Sequence, residues 1–296
     1  MPRTISKTSS QKHSRKRTRQ RTRQRTRLSV ASRLNLIIGI GLTASVALAA
    51  LLSFFWLPYD PNANDWGAML SPPSFEHLLG TDNLGRDLLS RLLVGARSAL
   101  YVGFVAVGIA LSLGCTLGAL AAYIGGWFDE VIMRLIDVLL AFPAILLALL
   151  LAAIYKPGTL TAMTAIGIAT VPIFARLMRA SVLSVKPKDY VEGSRALGAG
   201  HGRIIQRYIL PNAFTPIIIQ ASLSLAIAIL AEAALSYLGL GTPPRTPSWG
   251  NMLKDAQESI FLSPYPAIVP GLAIMMTVLG WSLLGDGLRD YLDPTD

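Results

Sequence analysis

Cysteine and charge are scarce in this chain of 296 residues. Its single cysteine, Cys115, excludes an internal disulfide and a metal site built from several cysteines. Charged residues make up 15% of the sequence, against roughly 25% in soluble domains, and hydrophobic residues make up 52%. No polar stretch is long enough to fold as a soluble domain. The composition therefore excludes a soluble enzyme and indicates an integral membrane protein.

Signatures of catalysis are missing as well. The chain has no Gly-x-x-x-x-Gly-Lys-Ser/Thr loop to cradle nucleotide phosphates, so we expect that it does not bind ATP itself. Its three histidines, His13, His77 and His201, do not have the spacing of metal ligands. We expect no catalytic residue, no cofactor and no metal, and we interpret His77 as an ordinary surface residue.

The net charge of +10 comes from the N-terminal tail. Residues 1–33 contain twelve Lys or Arg and no acidic residue, whereas the rest of the chain has 15 basic and 17 acidic residues. The Arg-Thr-Arg-Gln repeat at 17–27 has almost no apolar surface to bury, which predicts a disordered cytosolic tail. Such a tail would attract anionic lipids. A nucleic-acid-binding arm and a misassigned start codon are the alternatives.

Hydropathy predicts an all-α integral membrane protein with six transmembrane helices. Each apolar run has the roughly 20 residues that a helix needs to cross a bilayer. The first run, 34–57, is too long for the apolar region of a secretory signal and no clear cleavage site follows, so we interpret it as an uncleaved span. The other five runs lie in a helical core over 98–290. They are 98–124, 131–154, 160–183, 212–238 and 266–285.

The distribution of Lys and Arg predicts the orientation in the membrane. An even number of spans places both termini, including the C-terminal 291–296, on the same side. The tail and the polar insert at 184–211 carry most of the basic residues and share that side. The positive-inside rule then assigns it to the cytosol.

Two loops are expected on the outer side. The first, 58–97, contains an amphipathic segment at Leu88–Leu100, which predicts a separate helix along the outer membrane interface. The second, 239–265, is so rich in Pro and Gly that we expect no regular structure there. Its Trp249 would suit the level of the lipid headgroups.

The insert at 184–211 is patterned, although its charges would be costly inside hydrocarbon. A short helix is predicted over Asp189–Leu197, with acidic residues near its start as the helix dipole favours. Gly198 would end this helix with a left-handed cap. A second helix is predicted over Arg203–Ile209, with Pro211 closing it, so the insert would form a compact knob. The residues at helical spacing along one ridge are Val191, Arg195, Ala196 and Leu197.

A specific motif runs through this insert. Glu192 is followed six residues later by Gly198, and nine further residues precede Tyr208 and Leu210-Pro211. The spacing resembles the coupling loop in the membrane subunits of bacterial binding-protein-dependent ABC importers, which reads Glu-Ala-Ala, three residues, Gly, nine residues, Ile-x-Leu-Pro. Here Gly193-Ser194 replaces the two alanines and Tyr208 replaces the isoleucine. The glycine weakens the first helix by about 1 kcal/mol at most and leaves the turn intact.

Other segments are similar to the second permease of dipeptide, oligopeptide and nickel importers. They are 79–91 in the first outer loop, 235–241 and 247–250 around the second, and 285–290 with 292–294 near the C-terminus. The resemblance implies a permease subunit in the bacterial plasma membrane, which forms half of a translocation pathway for di- or oligopeptides. It also implies a second related permease, two ATPase subunits that hydrolyse the ATP, and an extracytoplasmic substrate-binding protein.

The resemblance further implies that the knob docks on an ATPase subunit. Nickel or another small solute is the alternative cargo, because the binding protein usually sets the specificity. The only close pair of potential soft metal ligands near the spans is Met275-Met276, which favours peptide over metal. The residues expected to form the docking surface are Glu192, Arg195, Ala196, Leu197, Gly198 and Arg203.

Two ionisable residues within the predicted spans are candidates for the transport pathway. Asp137 lies in the third span and Glu232 in the fifth, and ionisable groups inside a membrane are often functional. A proton relay through them would indicate a proton-coupled secondary transporter, which is the alternative of another class. Glu232 would otherwise accept hydrogen bonds from a neighbouring span, line the aqueous path or bind a substrate ammonium group.

Overall fold

A computed structural model describes residues 33–292, and this part of the chain is helical. Within these residues the only bridge between extended segments joins Thr81 and Asp87. Five helices are long and apolar enough to cross a membrane, and a bent pair supplies a sixth span if its two helices are counted as one. The predicted all-α membrane fold is confirmed. Residues 1–32 of the predicted disordered tail and the last four residues lie outside the described part, whereas Arg33, the last residue of that predicted tail, is helical.

The helices follow one another along the chain with short connections except at two loops. Short helices lie between the long ones at 189–213 and at 249–256. Two 3₁₀ turns, Trp66–Ala68 and Gln257–Ser259, lie in the loops, and a π-helical turn occupies Ile205–Ile209. The α-helices are α1 (Arg33–Phe55), α2 (Leu88–Ile124), α3 (Gly126–Leu140), α4 (Ala144–Ile154), α5 (Thr159–Val185), α6 (Asp189–Ala196), α7 (His201–Ile204), α8 (Leu210–Ala213), α9 (Thr215–Tyr237), α10 (Trp249–Ala256) and α11 (Tyr265–Leu292).

The third predicted span, 131–154, is not one continuous helix in the structure. It starts at Gly126, and α3 and α4 meet at an angle of 85° across residues 141–143. Pro143 explains the break, because proline has no N–H to donate and disfavours helical geometry in the residue before it. Hydropathy alone does not reveal the break, because the neighbours of this proline are all apolar.

The expected interfacial helix at Leu88–Leu100 is not a separate element. It is the first part of α2, which runs for 37 residues without a break. The amphipathic pattern reflects packing against the second loop, since the Trp249 ring lies against Gly95 of α2. Because no proline interrupts the segment, nothing ends the helix before the span begins.

Helix α5 lies at the centre of the bundle and packs against α2, α3, α4 and α9. Its closest approach is to α2. A side-chain carbon at Gly118 would collide with the backbone of Ala175, and one at Gly167 would crowd Ile109. Small residues let membrane helices approach in this way, and van der Waals packing then holds them together. Helices α2 and α5 therefore form the most extensively packed helix pair among the described residues.

Helices α1 and α11 pack antiparallel on one side of the bundle. Gly287 lies against Leu36, and Gly280 lies against Leu42. The first and last described residues are therefore at the same end of the molecule. Gly285 also lies against Leu223 in the first half of α9, so the segment 186–214 is at this end too. We call the segment 186–214 the knob and this end of the molecule the knob end. The opposite end, formed by loops 58–87 and 239–264, is the loop end.

Candidate functional site

The knob, residues 186–214, begins with a helix that ends as the sequence predicts. Helix α6 spans Asp189–Ala196, and Gly198 adopts the left-handed conformation with φ of +79°. The Gly198 amide donates to the Arg195 carbonyl at 3.0 Å, and the Ala199 amide donates to the Ser194 carbonyl at 3.1 Å. These two bonds satisfy carbonyls that the end of the helix leaves free. The glycine cap at 198 is confirmed.

The second half of the knob differs from the prediction. Helix α7 starts two residues early, and Pro211 does not close the helical run, which continues to Ala213. The π-helical turn is the reason, because the Leu210 amide donates to the Ile205 carbonyl, five residues back, just before the proline. The Tyr208 carbonyl accepts a hydrogen bond of 2.7 Å from the Asn212 side chain. A π turn commonly marks a functional position in a helix.

All six residues predicted to form the docking surface are exposed. Leu197 is the most prominent, because 90% of this large apolar residue is accessible at the tip of the knob. Val191, by contrast, is fully buried. The prediction that it shares one ridge with Arg195, Ala196 and Leu197 is therefore wrong. Val191 and Ile204 both belong to the main hydrophobic core, one on each side of the tip. The exposed tip is thus attached to the bundle by two buried anchors.

Polar contacts to α2 also hold the knob. The Lys186 ammonium donates to the carbonyls of Ala122 and Tyr123 at 3.1 and 2.8 Å. The Tyr123 hydroxyl lies 2.6 Å from Nδ1 of His201. Sequence reasoning missed Lys186 and Tyr123, because α2 ends more than 60 residues before the knob begins. The only signal was a lysine placed three residues after the end of a predicted span.

Two ion pairs connect α3 to the central α5. Asp129 accepts two hydrogen bonds of 2.6 Å from Arg179, and Asp137 accepts one of 2.5 Å from Arg176. The side chains of Asp137 and Arg176 are both more than half exposed. Asp137, proposed as a pathway residue, is therefore accessible but paired with a cation of its own chain.

Glu232 is buried close to the loop end. Its Oε1 atom accepts hydrogen bonds from the Ser236 hydroxyl at 2.7 Å and the Thr242 hydroxyl at 3.0 Å. Ser236 in turn accepts one from the Thr242 amide at 2.9 Å. Glu232 is 1% exposed, so it does not line an aqueous path in this conformation. Glu232 accepts hydrogen bonds, as one expectation had it, but its donors lie on its own helix and in the following loop and not on a neighbouring span.

The second loop is more ordered than its Pro and Gly content predicted. It contains α10, which Ser248 caps by accepting a hydrogen bond from the Asn251 amide. Trp249 is 2% exposed, and its indole N–H donates to the Leu92 carbonyl at 3.1 Å. The expectation that Trp249 faces the headgroups is wrong, because α2 supplies a matching groove at Gly95.

Charged residues tie the two loops together at the loop end. Arg86 bonds to Asp82 and to Asp255, each at 2.7 Å. The nearly inaccessible Arg91 bonds to the same carboxylate of Asp255 at 3.3 Å. A salt bridge with little access to water is favourable only when good geometry and further hydrogen bonds offset the free-energy cost of removing both charges from water. The backbone amides of Leu84 and Arg86 supply such bonds to Asp82.

The start of α2 is fixed by a second cluster. Asp87 accepts a hydrogen bond of 2.7 Å from the Ser90 amide and so caps the helix. Its other carboxylate oxygen lies 3.0 Å from Nδ1 of His77. His77 is 9% exposed and its ring lies 4.7 Å from that of Tyr59. The interpretation of His77 as a surface residue is therefore wrong.

Residues 114–295 match the model of a family described as "Binding-protein-dependent transport system inner membrane component". The chain belongs to this family. It is 48% identical over 225 residues to the dipeptide transport system permease protein of Alkalihalophilus pseudofirmus, covering 76% of this chain and 74% of the relative. Identity is 44% to the glutathione transport system permease protein of Pectobacterium atrosepticum, with 81% of each chain covered.

Solved structures show the same fold for the permease. An inward-facing structure of the MetNI methionine ABC transporter has a TM-score of 0.55 and 18% identity, covering 68% of this chain and 95% of that chain. A structure described as an amino acid ABC transporter with histidines has a TM-score of 0.52 and 21% identity, covering 66% and 91%. The family match and the apolar helices together make the permease an inner-membrane, multi-pass transport component.

The family match begins within α2 and includes the knob, Asp137 and Glu232. Asp82, Arg86 and Arg91 of the charged cluster lie before the matched range, whereas their partner Asp255 lies within it. Within residues 33–292 of the permease, no three His, Cys, Asp or Glu side chains are placed to share a metal ion. The matched range therefore covers the end of α2, the helices α3 to α11 and the knob between α5 and α9.

Proposed function

We propose that this permease forms one half of the translocation pathway of an ATP-driven importer of di- and oligopeptides. The observation that carries the proposal is the exposed knob with its glycine turn at 198, held on buried anchors within the range that matches the family. The names of relatives support the cargo, because they are permeases of dipeptide and glutathione transport systems. Glutathione is itself a short peptide, so both names favour peptide over nickel.

The proposed assembly contains a second related permease, two ATPase subunits and an extracytoplasmic binding protein. The knob end faces the cytosol, which places both termini there. Residues 186–214 contain five basic and two acidic residues, and the positive-inside rule favours the cytosol for such a segment. The loop end faces outward and offers the binding protein a surface that the Asp82–Asp255 cluster keeps in place.

The knob converts movement of an ATPase subunit into movement of the membrane helices. Leu197 at the tip supplies apolar contact area in a groove of the ATPase, and Glu192, Arg195 and Arg203 set its orientation through charge. Val191 and Ile204 are packed into the core, so displacement of the tip displaces the helices around it. The partner ATPase subunits hydrolyse the ATP, and the permease contributes no catalytic residue.

The proton-coupled carrier is the weaker proposal. Asp137 is paired with Arg176, and Glu232 is engaged by two hydroxyl groups. Both carboxyl groups therefore already have hydrogen-bond partners within the permease. Membership in a binding-protein-dependent transport family also favours energy from ATP over energy from an ion gradient.

Reconstitution tests the proposal. The permease, its companion permease, the two ATPases and the binding protein would be placed in proteoliposomes, and uptake of a radiolabelled dipeptide measured. We expect uptake with ATP inside and the binding protein outside, and none with a non-hydrolysable ATP analogue. Uptake that follows an imposed proton gradient without ATP would contradict the proposal. A binding protein that captures nickel and not peptides would overturn the assignment of the cargo.

A further inference from the structure

Helix α2 forms hydrogen bonds with the knob, although more than 60 residues separate the end of α2 from the start of the knob. The last carbonyls of an α-helix have no amide partners within the helix. The last turn of α2 contains no basic side chain of its own. Lys186, at the end of α5, donates to two of these carbonyls, those of Ala122 and Tyr123. A cation at this position also complements the negative end of the helix dipole.

A second contact fixes the turn of the knob to the same point. His201 is the first residue of α7 and follows the glycine-rich turn directly. Its Nδ1 atom lies 2.6 Å from the Tyr123 hydroxyl, and the two rings pack edge to face at 5.8 Å. The Lys186 ammonium lies 5.7 Å from the centre of the Tyr123 ring. Tyr123 therefore contacts both ends of the α6 segment, before and after the exposed tip.

Helix α2 is suited to carry movement over a long distance. Its 37 unbroken residues correspond to a rod of about 55 Å. Close packing at Gly118 holds it to α5 along its length. At the loop end, Asp87 caps it and Arg91 bonds to Asp255. The rod thus begins in the cluster that joins the loops and ends at the knob.

We propose that Tyr123 and Lys186 are positioning residues that join α2 to the knob. A movement of the knob is then transmitted to α2 and along it to the loop end, in addition to α5 and α9, which flank the knob in the sequence. The inference rests on the proposed coupling function and adds a third helix to it.

The test uses the complete reconstituted importer and measures peptide molecules taken up per ATP hydrolysed. Tyr123→Phe removes only the hydroxyl, His201→Phe keeps a ring for the edge-to-face contact, and Lys186→Met keeps the aliphatic stem. We expect each to lower the ratio about fivefold or more, the lower range of coupling between sites. Matched controls are Tyr155→Phe and Lys156→Met, both exposed in the turn between α4 and α5 and outside the knob, which should keep the ratio of the unmodified importer.

A double substitution distinguishes coupling from general destabilisation. If Tyr123 and His201 act through their shared hydrogen bond, Tyr123→Phe with His201→Phe should lower the ratio no further than either change alone. Independent, multiplying losses would overturn the inference. So would loss of subunit assembly, detected by co-purification, with uptake and ATP hydrolysis falling in proportion.

The unmodified importer separates this inference from the proposed function. If it shows no ATP-dependent peptide uptake, the proposed function fails. If it transports peptide and all three substitutions behave like the controls, the function stands and the role of α2 is wrong.

Discussion

Asp255 joins α10 to two arginines that lie 169 and 164 residues earlier in the sequence. Its Oδ2 atom accepts a hydrogen bond from Arg86 at 2.7 Å and another from Arg91 at 3.3 Å. One carboxylate therefore holds the first loop, the start of α2 and the second loop together. Because the Arg91 side chain is only 1% exposed, removal of its partner leaves a cation with little access to water.

Asp255→Asn should loosen the loop end without changing its shape. Asp82 still faces both arginines, and Asp255 is about one-third exposed, so we expect a loss of roughly 1–2 kcal/mol, below the cost of breaking a fully buried pair. The loss of stability would appear as a lower unfolding temperature of the detergent-purified permease and as faster proteolysis within 58–87. Glu258→Gln is the matched control, an exposed acid in the following turn. Equal stability of the two variants would show that Asp255 does not hold the loops.

Gly198→Val should uncouple ATP hydrolysis from uptake. A side chain at this position meets no atom within 4 Å, so the difficulty is the backbone alone, which has a φ of +79°. A left-handed residue with a β-branched side chain costs about 1–2 kcal/mol or more, and the turn of the knob would change its direction to avoid it. Hydrolysis and uptake measured together would show continued ATP consumption with little transport.

Gly193→Ala is the control for that substitution. Gly193 also has open space around it but lies within α6 with ordinary helical geometry, so alanine should stabilise the helix by up to about 1 kcal/mol. Transport should be retained. If Gly198→Val transports as well as Gly193→Ala, the left-handed turn is not required for coupling.

Glu232→Gln should preserve transport, whereas Glu232→Ala should not. Both hydrogen bonds to Glu232 reach the single atom Oε1, and a glutamine offers a carbonyl oxygen in the same place. Alanine leaves Ser236 and Thr242 without an acceptor and opens a cavity, for an expected loss of about 2–4 kcal/mol. Hydrogen exchange over 239–248 would detect the loosened loop. Loss of uptake in Glu232→Gln with normal stability would instead indicate that the charge is required.

Asp129→Asn should destabilise the permease more than Glu130→Gln. Asp129 is partly buried and accepts two hydrogen bonds from Arg179, which fixes α3 on α5. Glu130 forms an exposed pair with Arg134 within one helix, and such pairs contribute about 0.5 kcal/mol or less. We expect a difference of about 1 kcal/mol in the free energy of unfolding. Equal effects would mean that the connection between α3 and α5 is not maintained in the membrane.

Local sequence features were sufficient to predict the spans and the first turn of the knob. Hydropathy locates long apolar helices regardless of their neighbours. A glycine directly after a short helix favours the left-handed cap that Gly198 forms, because glycine adopts a positive φ without steric cost. The bend before Pro143 was also predictable in principle, since the signal is a single residue. The apolar run around it hid the signal.

Contacts between distant segments could not be predicted from one sequence. Trp249 and His77 were assigned to the surface because their loops look polar and irregular, yet α2 and Asp87 supply partners that bury them. Trp249, the first residue of α10, packs against the first turns of α2. Likewise, nothing local to Lys186 indicates that its ammonium reaches the end of a helix more than 60 residues away.

The position of the knob relative to an ATPase subunit tests the central claim most directly. Cys115 is buried and is the only cysteine, so a Cys115→Ser chain allows a single reactive thiol to be introduced by Leu197→Cys. A photoreactive maleimide at this position should cross-link to the ATPase subunit of the assembled importer, with a yield that changes when ATP binds. The same label introduced by Ile268→Cys on the exposed face of α11 should not reach the ATPase. An importer that transports peptide while the label at 197 captures no ATPase would contradict the account.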